Sequence, residues 1–158
     1  MKQIEFRMDL IDYKPTYKRN DRPVYFDPIR RILVQSTPEE EVRQKFIQYL
    51  MKYLNVPEDM IDVEVHMTYF KKGLRDRADI VGYYQDGGKK KPLFVVECKA
   101  PKQTITDDTF YQIQKYDKAI NTPGNLIITN GERTIFYVKT KTNTDYEEAV
   151  EPPTYYEL

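Results

Sequence analysis

Between Thr37 and Leu54 the apolar residues Val42, Phe46, Tyr49, Leu50, Tyr53 and Leu54 recur at the spacing of one helix face. Thr37 supplies an N-cap and Pro38 a first-turn proline. Glu39, Glu40 and Glu41 put negative charge at the positive end of the helix dipole, and Asn55 and Pro57 stop the helix. The period then changes to two. Over 61–70, Asp62, Glu64, His66 and Thr68 alternate with Val63, Val65 and Met67, which predicts a strand. A second strand is predicted over 77–85, a turn at Asp86-Gly87-Gly88, and a third strand over 92–100. The run Leu93-Phe94-Val95-Val96 suits a central strand covered on both faces.

A second helix is predicted over about 107–121, with Asp107 and Asp108 in its first turn and Phe110, Ile113 and Ile120 on its buried side. The turn Thr122-Pro123-Gly124-Asn125 leads to a strand at 126–129. A tight turn at Asn130-Gly131 and a strand at 134–138 follow. The order α-β-β-β-α-β-β predicts an α/β fold, a mixed central sheet flanked by helices. Residues 1–35, punctuated by Pro15, Pro23 and Pro28, read as an irregular or hairpin-like extension packing on a core of 36–140. From 141 to 158, Lys141 faces Asp145, Glu147, Glu148, Glu151 and Glu157, and Pro152-Pro153 interrupts the segment. It reads as a loosely ordered acidic tail.

The length of 158 residues fits one core. Lys+Arg and Asp+Glu both total 25, which excludes a uniformly basic coat for nucleic acid; phosphate binding must come from local patches. Cys98 and His66 are single residues of their types, so no disulfide framework and no Cys- or His-based zinc cluster is available. No apolar run approaches the ~20 residues of a membrane span, and Met1–Leu10 holds no signal-peptide core. A cytoplasmic domain without membrane contact is expected. Its chemistry then rests on carboxylates, lysines and amides.

The informative group is Asp79 on the second strand and Val96-Glu97-Cys98-Lys99 on the third. Alternation points Glu97 and Lys99 the same way and Cys98 the other. If the two strands pair through the glycine turn, Asp79 lies across from Glu97 and two carboxylates converge beside one ammonium. Their repulsion is resolved by a hard divalent cation with oxygen ligands. Mg²⁺, with Mn²⁺ as a substitute, suits two carboxylates, waters and phosphate oxygens, and the Cys98 carbonyl is a plausible third protein ligand. Lys99 would then orient a metal-bound water, lower its pKa, or offset charge on the phosphorane. Taken alone, an Asp followed 18 positions later by Glu-x-Lys also describes a solvated strand face. The adjacent apolar run argues against that simpler reading.

The pieces Asp27-Pro28-Ile29-Arg30, Thr37-Pro38-Glu39-Glu40-Glu41-Val42-Arg43-Gln44, Arg77-Ala78-Asp79-Ile80-Val81, Val96-Glu97-Cys98-Lys99-Ala100-Pro101, Gln112-Ile113-Gln114-Lys115-Tyr116 and Thr129-Asn130-Gly131 resemble, in order, the N-terminal nuclease domain of type I restriction enzyme R subunits. That domain belongs to the PD-(D/E)xK nuclease superfamily, so the resemblance implies a restriction-endonuclease-like fold. It also implies a magnesium-dependent DNA endonuclease. Asp79 and Glu97 match the metal-binding carboxylates and Lys99 the catalytic lysine. Glu40 matches the acidic residue of the first helix that contributes to the metal or its water shell, with Glu39 and Glu41 one position either side. Gln112 and Tyr116 match the Gln-x-x-x-Tyr motif of RecB-like nucleases, and at i and i+4 they share a helix face.

Ala78 stands where the superfamily has its proline, a replacement common in this family. The chain's length leaves no room for a helicase motor, so a stand-alone nuclease module is expected. DNA is the expected partner, with other restriction or repair subunits beside it. Two alternatives accompany this reading: a catalytically silent nuclease-fold subunit for DNA binding or assembly, and a repair nuclease for branched or damaged DNA. A homodimer would make double-strand cleavage easy, although nothing in the pattern encodes a dimer interface.

Residues 71–102 carry nine basic side chains against four acidic ones. Arg77, Lys89, Lys90, Lys91 and Lys102 are the candidates for contacting DNA phosphates. The lysine triplet equally suits a hairpin protected from edge-to-edge pairing. His66 reads as a structural or surface residue and Cys98 as a small buried one. The 14 tyrosines fill the core and its boundary in a chain without tryptophan.

Overall fold

A computed structural model describes residues 5–122, 125–140, 145–149 and 155. The N-terminal section is a three-stranded antiparallel sheet of β1 (Tyr17–Arg19), β2 (Arg22–Asp27) and β3 (Ile32–Gln35), in that order. Asn20 and Asp21 both adopt left-handed backbone (φ 53° and 62°). This is the two-residue hairpin turn that Asn and Asp tolerate. Val24 and Tyr25 are buried, and the Tyr13 ring stacks on Tyr25 at 5.7 Å. Asp27 closes the β2–β3 turn by accepting the Ile29 and Arg30 backbone N–H groups, each at 2.8 Å.

Helix α1 (Pro38–Lys52) is capped by Thr37, whose hydroxyl accepts the Glu40 N–H at 3.1 Å. Its inward stripe is Val42, Phe46, Ile47, Tyr49 and Leu50, and Glu40, Arg43 and Gln44 are buried with them. The main sheet has six strands in sequence order: β4 (Ile61–His66), β5 (Arg77–Asp86), β6 (Lys89–Cys98), β7 (Asn125–Thr129), β8 (Thr134–Lys139) and β9 (Tyr146–Glu148). Only β6 and β7 run parallel, and α2 (Asp107–Ile120) forms the crossover between them. The expected mixed sheet flanked by two helices is the fold observed.

Three details depart from the pattern. The strand expected over 61–70 ends at His66, because the Met67 N–H bonds the Asp76 carbonyl (2.8 Å) and Met67 starts a 3₁₀ turn. The third strand begins at Lys89, as the Gly87-Gly88 turn (φ 60° and 81°) pairs Asp86 directly with Lys89. Within the acidic segment, Tyr146–Glu148 pairs with β8, and the Tyr146 hydroxyl donates to buried Asp117. Lys141, Glu151, Pro152-Pro153 and Glu157 lie outside the described residues, as do Pro123 and Gly124.

The β5–β6 ladder has a bulge. Tyr83 faces Pro92 but Gly82 faces Phe94, so Leu93 is an extra residue on β6. Pro92, which has no N–H to give the ladder, is tolerated beside this irregularity. The Phe94 ring lies over Gly82 so closely that a Cβ there would sit 2.1 Å from it. Among the described residues no helix is long and apolar enough to cross a membrane.

Candidate active site

The β5–β6 register runs through Ile80–Val96 to bring Asp79 and Glu97 together at one end of the hairpin. Both are buried, at 7% and 6% exposure. One Asp79 oxygen accepts the Cys98 backbone N–H at 2.7 Å and the other accepts from the Arg43 guanidinium at 2.6 Å. Glu97 Oε1 lies 3.4 Å from Lys99 Nζ, and its Oε2 is buried with no hydrogen-bond donor on it among the described residues. Burial pushes the Glu97 carboxyl up to about 8; the Asp79 charge adds to this and Lys99 opposes it. The Cys98 thiol is fully buried and burial raises its pKa, which fits a small packing residue.

The sequence pattern did not single out Arg43. From α1 this guanidinium contacts Glu40, Asp79 (2.6 Å) and Glu64 (2.9 Å), with Glu39 at 3.5 Å. Glu40 also accepts from Arg30 (2.5 Å) and Gln44 (3.0 Å). Those two groups in turn hold Asp27, at 2.7 and 2.8 Å. Glu40 is thus placed inside a network of cations and amides. Glu39 is the first-helix carboxyl raised by burial and by the Asp79 charge. Glu64 sits in left-handed backbone (φ 56°), a cost borne where the surroundings fix the side chain. The available signal was a polar trio, Glu40, Arg43 and Gln44, on the face of α1 that carries Ile47.

On α2, Gln112 donates to the Tyr116 hydroxyl at 2.7 Å. The Tyr116 pKa rises to about 12, chiefly through burial, with the charges of Glu97 and Asp79 among the smaller causes. The Thr129-Asn130-Gly131 turn supports the loop after Lys99. The Thr129 carbonyl accepts the Lys99 N–H (2.8 Å), and Asn130 Nδ2 donates to the Gln103 carbonyl (2.8 Å). Lys102 is exposed in that loop. Arg77 is exposed and bonds Glu64 at 3.0 Å.

Lys89, Lys90 and Lys91 stand at the opposite end of the hairpin. Glu97 is seven residues from Lys90 along β6, roughly 23 Å at strand rise. There Lys91 pairs with Asp86 (2.6 Å) and Lys90 lies 5.0 Å from the Tyr83 ring centroid.

Two buried carboxylates, one with an unpartnered oxygen, form a donor set that fits a hard divalent ion. Among the described residues no three His, Cys, Asp or Glu side chains converge as a metal cluster. Asp79 and Glu97 are therefore the side chains available to hold an ion, leaving other positions to backbone, water and phosphate.

A mixed sheet whose central antiparallel hairpin brings Asp, Glu and Lys to one of its ends, with a crossover helix alongside, is an α/β restriction-endonuclease-like fold. The chain belongs to the family described as type I restriction enzyme R protein N terminus, whose model matches residues 38–153. Comparison with curated proteins and with solved structures gave no significant match.

Proposed function

We propose that the chain is a magnesium-dependent DNA endonuclease that hydrolyses phosphodiesters. The observation that carries this reading is the meeting of Asp79 and Glu97 beside Lys99, with a Glu97 oxygen buried and unpartnered. Asp79 and Glu97 would hold the ion, with the Cys98 carbonyl a further candidate ligand. A bound magnesium supplies Lewis acidity toward a phosphate oxygen and a nucleophile at neutral pH. Arg43 and the Cys98 N–H fix the plane of the Asp79 carboxylate. Lys99, 20% exposed, can place its ammonium against charge building on the phosphoryl oxygens. Gln112 and Tyr116 form a hydrogen-bonded pair on α2, and the Glu97 and Asp79 charges act on the Tyr116 hydroxyl. DNA is the proposed substrate, and other restriction subunits are the proposed partners.

The test is incubation of supercoiled plasmid with Mg²⁺ or Mn²⁺, alongside calorimetric titration of the metal. Asp79→Asn, Glu97→Gln and Lys99→Met should each reduce cleavage to background in protein that still folds cooperatively, Asp79→Asn with a lowered melting temperature, since the three groups act as one unit. The two carboxylate variants should also lose ion uptake. Cleavage by Asp79→Asn at the wild-type rate would refute the assignment. DNA binding without cleavage in either metal would favour a silent subunit.

A further inference from the structure

The face of the N-terminal sheet that carries Arg19 and Arg22 belongs to none of the machinery above. In the β1–β2 register Arg19 is directly opposite Arg22, and Tyr17 opposite Val24; on the other side Val24 is opposite Gln35. Residues opposite one another, and those two apart, share a face. Tyr17, Arg19, Arg22, Val24, Phe26 and Gln35 therefore lie together.

Arg19, Asn20, Arg22, Val24 and Gln35 line a surface hollow of about 330 Å³. Tyr17 and Phe26 stand exposed on that face, at 55% and 42%. Lys14 and Lys18 add positive charge to the segment, against Asp12 and Asp21. Among the described residues none of Lys14, Lys18, Arg19 or Arg22 pairs with a carboxylate.

Two arginines directly across a hairpin repel, and among the described residues no carboxylate pairs with either of them. A ligand with closely spaced anionic oxygens would. Guanidinium groups on either side of an amide-lined hollow match phosphate oxygens, and flanking exposed aromatics match sugar and base surfaces.

We infer that the β1–β2 hairpin is a second DNA-binding element, a wing that grips backbone phosphates away from the scissile bond. This rests on the nuclease reading for its choice of DNA as the polyanion. Placement supports it. Gln35 is separated from the α1 cap by Ser36 alone, and Ser36 is itself tied to Pro23 by a 3.0 Å backbone bond. β2 runs from Arg22 to Asp27, which is bonded through Arg30 and Gln44 to Glu40 and so to Arg43 and Asp79. Wing and carboxylates are two ends of one bonded body. The hairpin tip extends roughly 17 Å beyond Asp27, about five base pairs of B-DNA.

The test uses the full chain and a labelled duplex of about 25 base pairs, with EDTA present to prevent cleavage. Binding is followed by fluorescence anisotropy between about 50 and 200 mM salt. The double variant Arg19→Gln/Arg22→Gln should bind more weakly. Its plot of log affinity against log salt should be shallower by about 1.8, ~0.9 for each lost phosphate contact. Arg19→Lys/Arg22→Lys should recover most of the slope. Both arginines are exposed, so the melting temperature should not fall.

Equal affinity and slope for wild type and the glutamine variant would overturn the inference, even with plasmid cleavage intact. So would a lysine variant as weak as the glutamine one, or a wild type that binds no duplex. A wing-dependent complex formed by a protein that cuts no plasmid would overturn the nuclease reading and leave the wing standing.

Discussion

Arg43→Met is the sharpest test of how the site is held together. The substitution keeps side-chain bulk and removes the charge that Glu40, Asp79 and Glu64 share. The Arg43 side chain is 7% exposed, and those of Glu40 and Asp79 are each 9% exposed, so water cannot readily replace the lost partner. Removing one member of a buried ion-pair set typically costs about 3–5 kcal/mol. At ~2–4 °C per kcal/mol for a domain of this size, the melting temperature should fall by roughly 6–20 °C. Denaturant titration gives the free energy and differential scanning calorimetry the temperature. Arg7→Met is the internal control: the Arg7–Asp9 pair is 60% and 64% exposed, and its loss should cost under about 1 kcal/mol. Acidification should narrow the Arg43→Met deficit, because stranded carboxylates can take up protons. A loss no larger than that of Arg7→Met, or a deficit that widens toward acid, would refute the view that Arg43 organises these acids.

Gly82→Ala drives a methyl group into the Phe94 ring and should destabilise by about 1–3 kcal/mol; adding Phe94→Leu should restore part of the loss, and no change in either melting curve would contradict the packing. Glu97 gives a pH signature in metal-free protein. Its folded pKa of about 8 lies above its ordinary value of 4.5, so the folded state holds a proton that the unfolded chain has released. Its contribution to stability is complete below pH 4.5 and declines as pH rises through 8. Glu97→Gln should flatten that decline, and an unaltered profile of melting temperature against pH would count against the burial argument.

The main elements were legible because period and punctuation agreed. The α1 stripe and its Thr37-Pro38 start, the Gly87-Gly88 turn, and the apolar run at Leu93–Val96 each pointed to one local structure. Asp79, Glu97 and Lys99 were legible because alternation along β6 sets two of them on one side. The Arg43 network was not. Its members come from β2, α1, β4 and β5, and pairing across that sequence distance leaves no periodic trace. The distance of the lysine triplet from the carboxylates was hidden for a related reason. Lys90 and Glu97 are close in sequence, but an extended strand carries them roughly 23 Å apart. Likewise Tyr146–Glu148 looked like part of a charged tail, because the β8 edge and the Asp117 carboxylate that receive it lie far back in the sequence.

Leu93 has a consequence out of proportion to one leucine. Counting inward from the glycine turn with Leu93 paired like its neighbours, Asp79 would stand opposite Val96, and Glu97 and Lys99 would emerge on the far surface of the sheet. The additional residue resets the phase of the ladder halfway along. The distal half therefore keeps the spacing set by its turn, and the proximal half acquires the parity that puts acid, acid and ammonium on a common side. A ladder that paired Leu93 in place of bulging it would leave every catalytic candidate in the chain while turning Glu97 and Lys99 to the opposite face from Asp79.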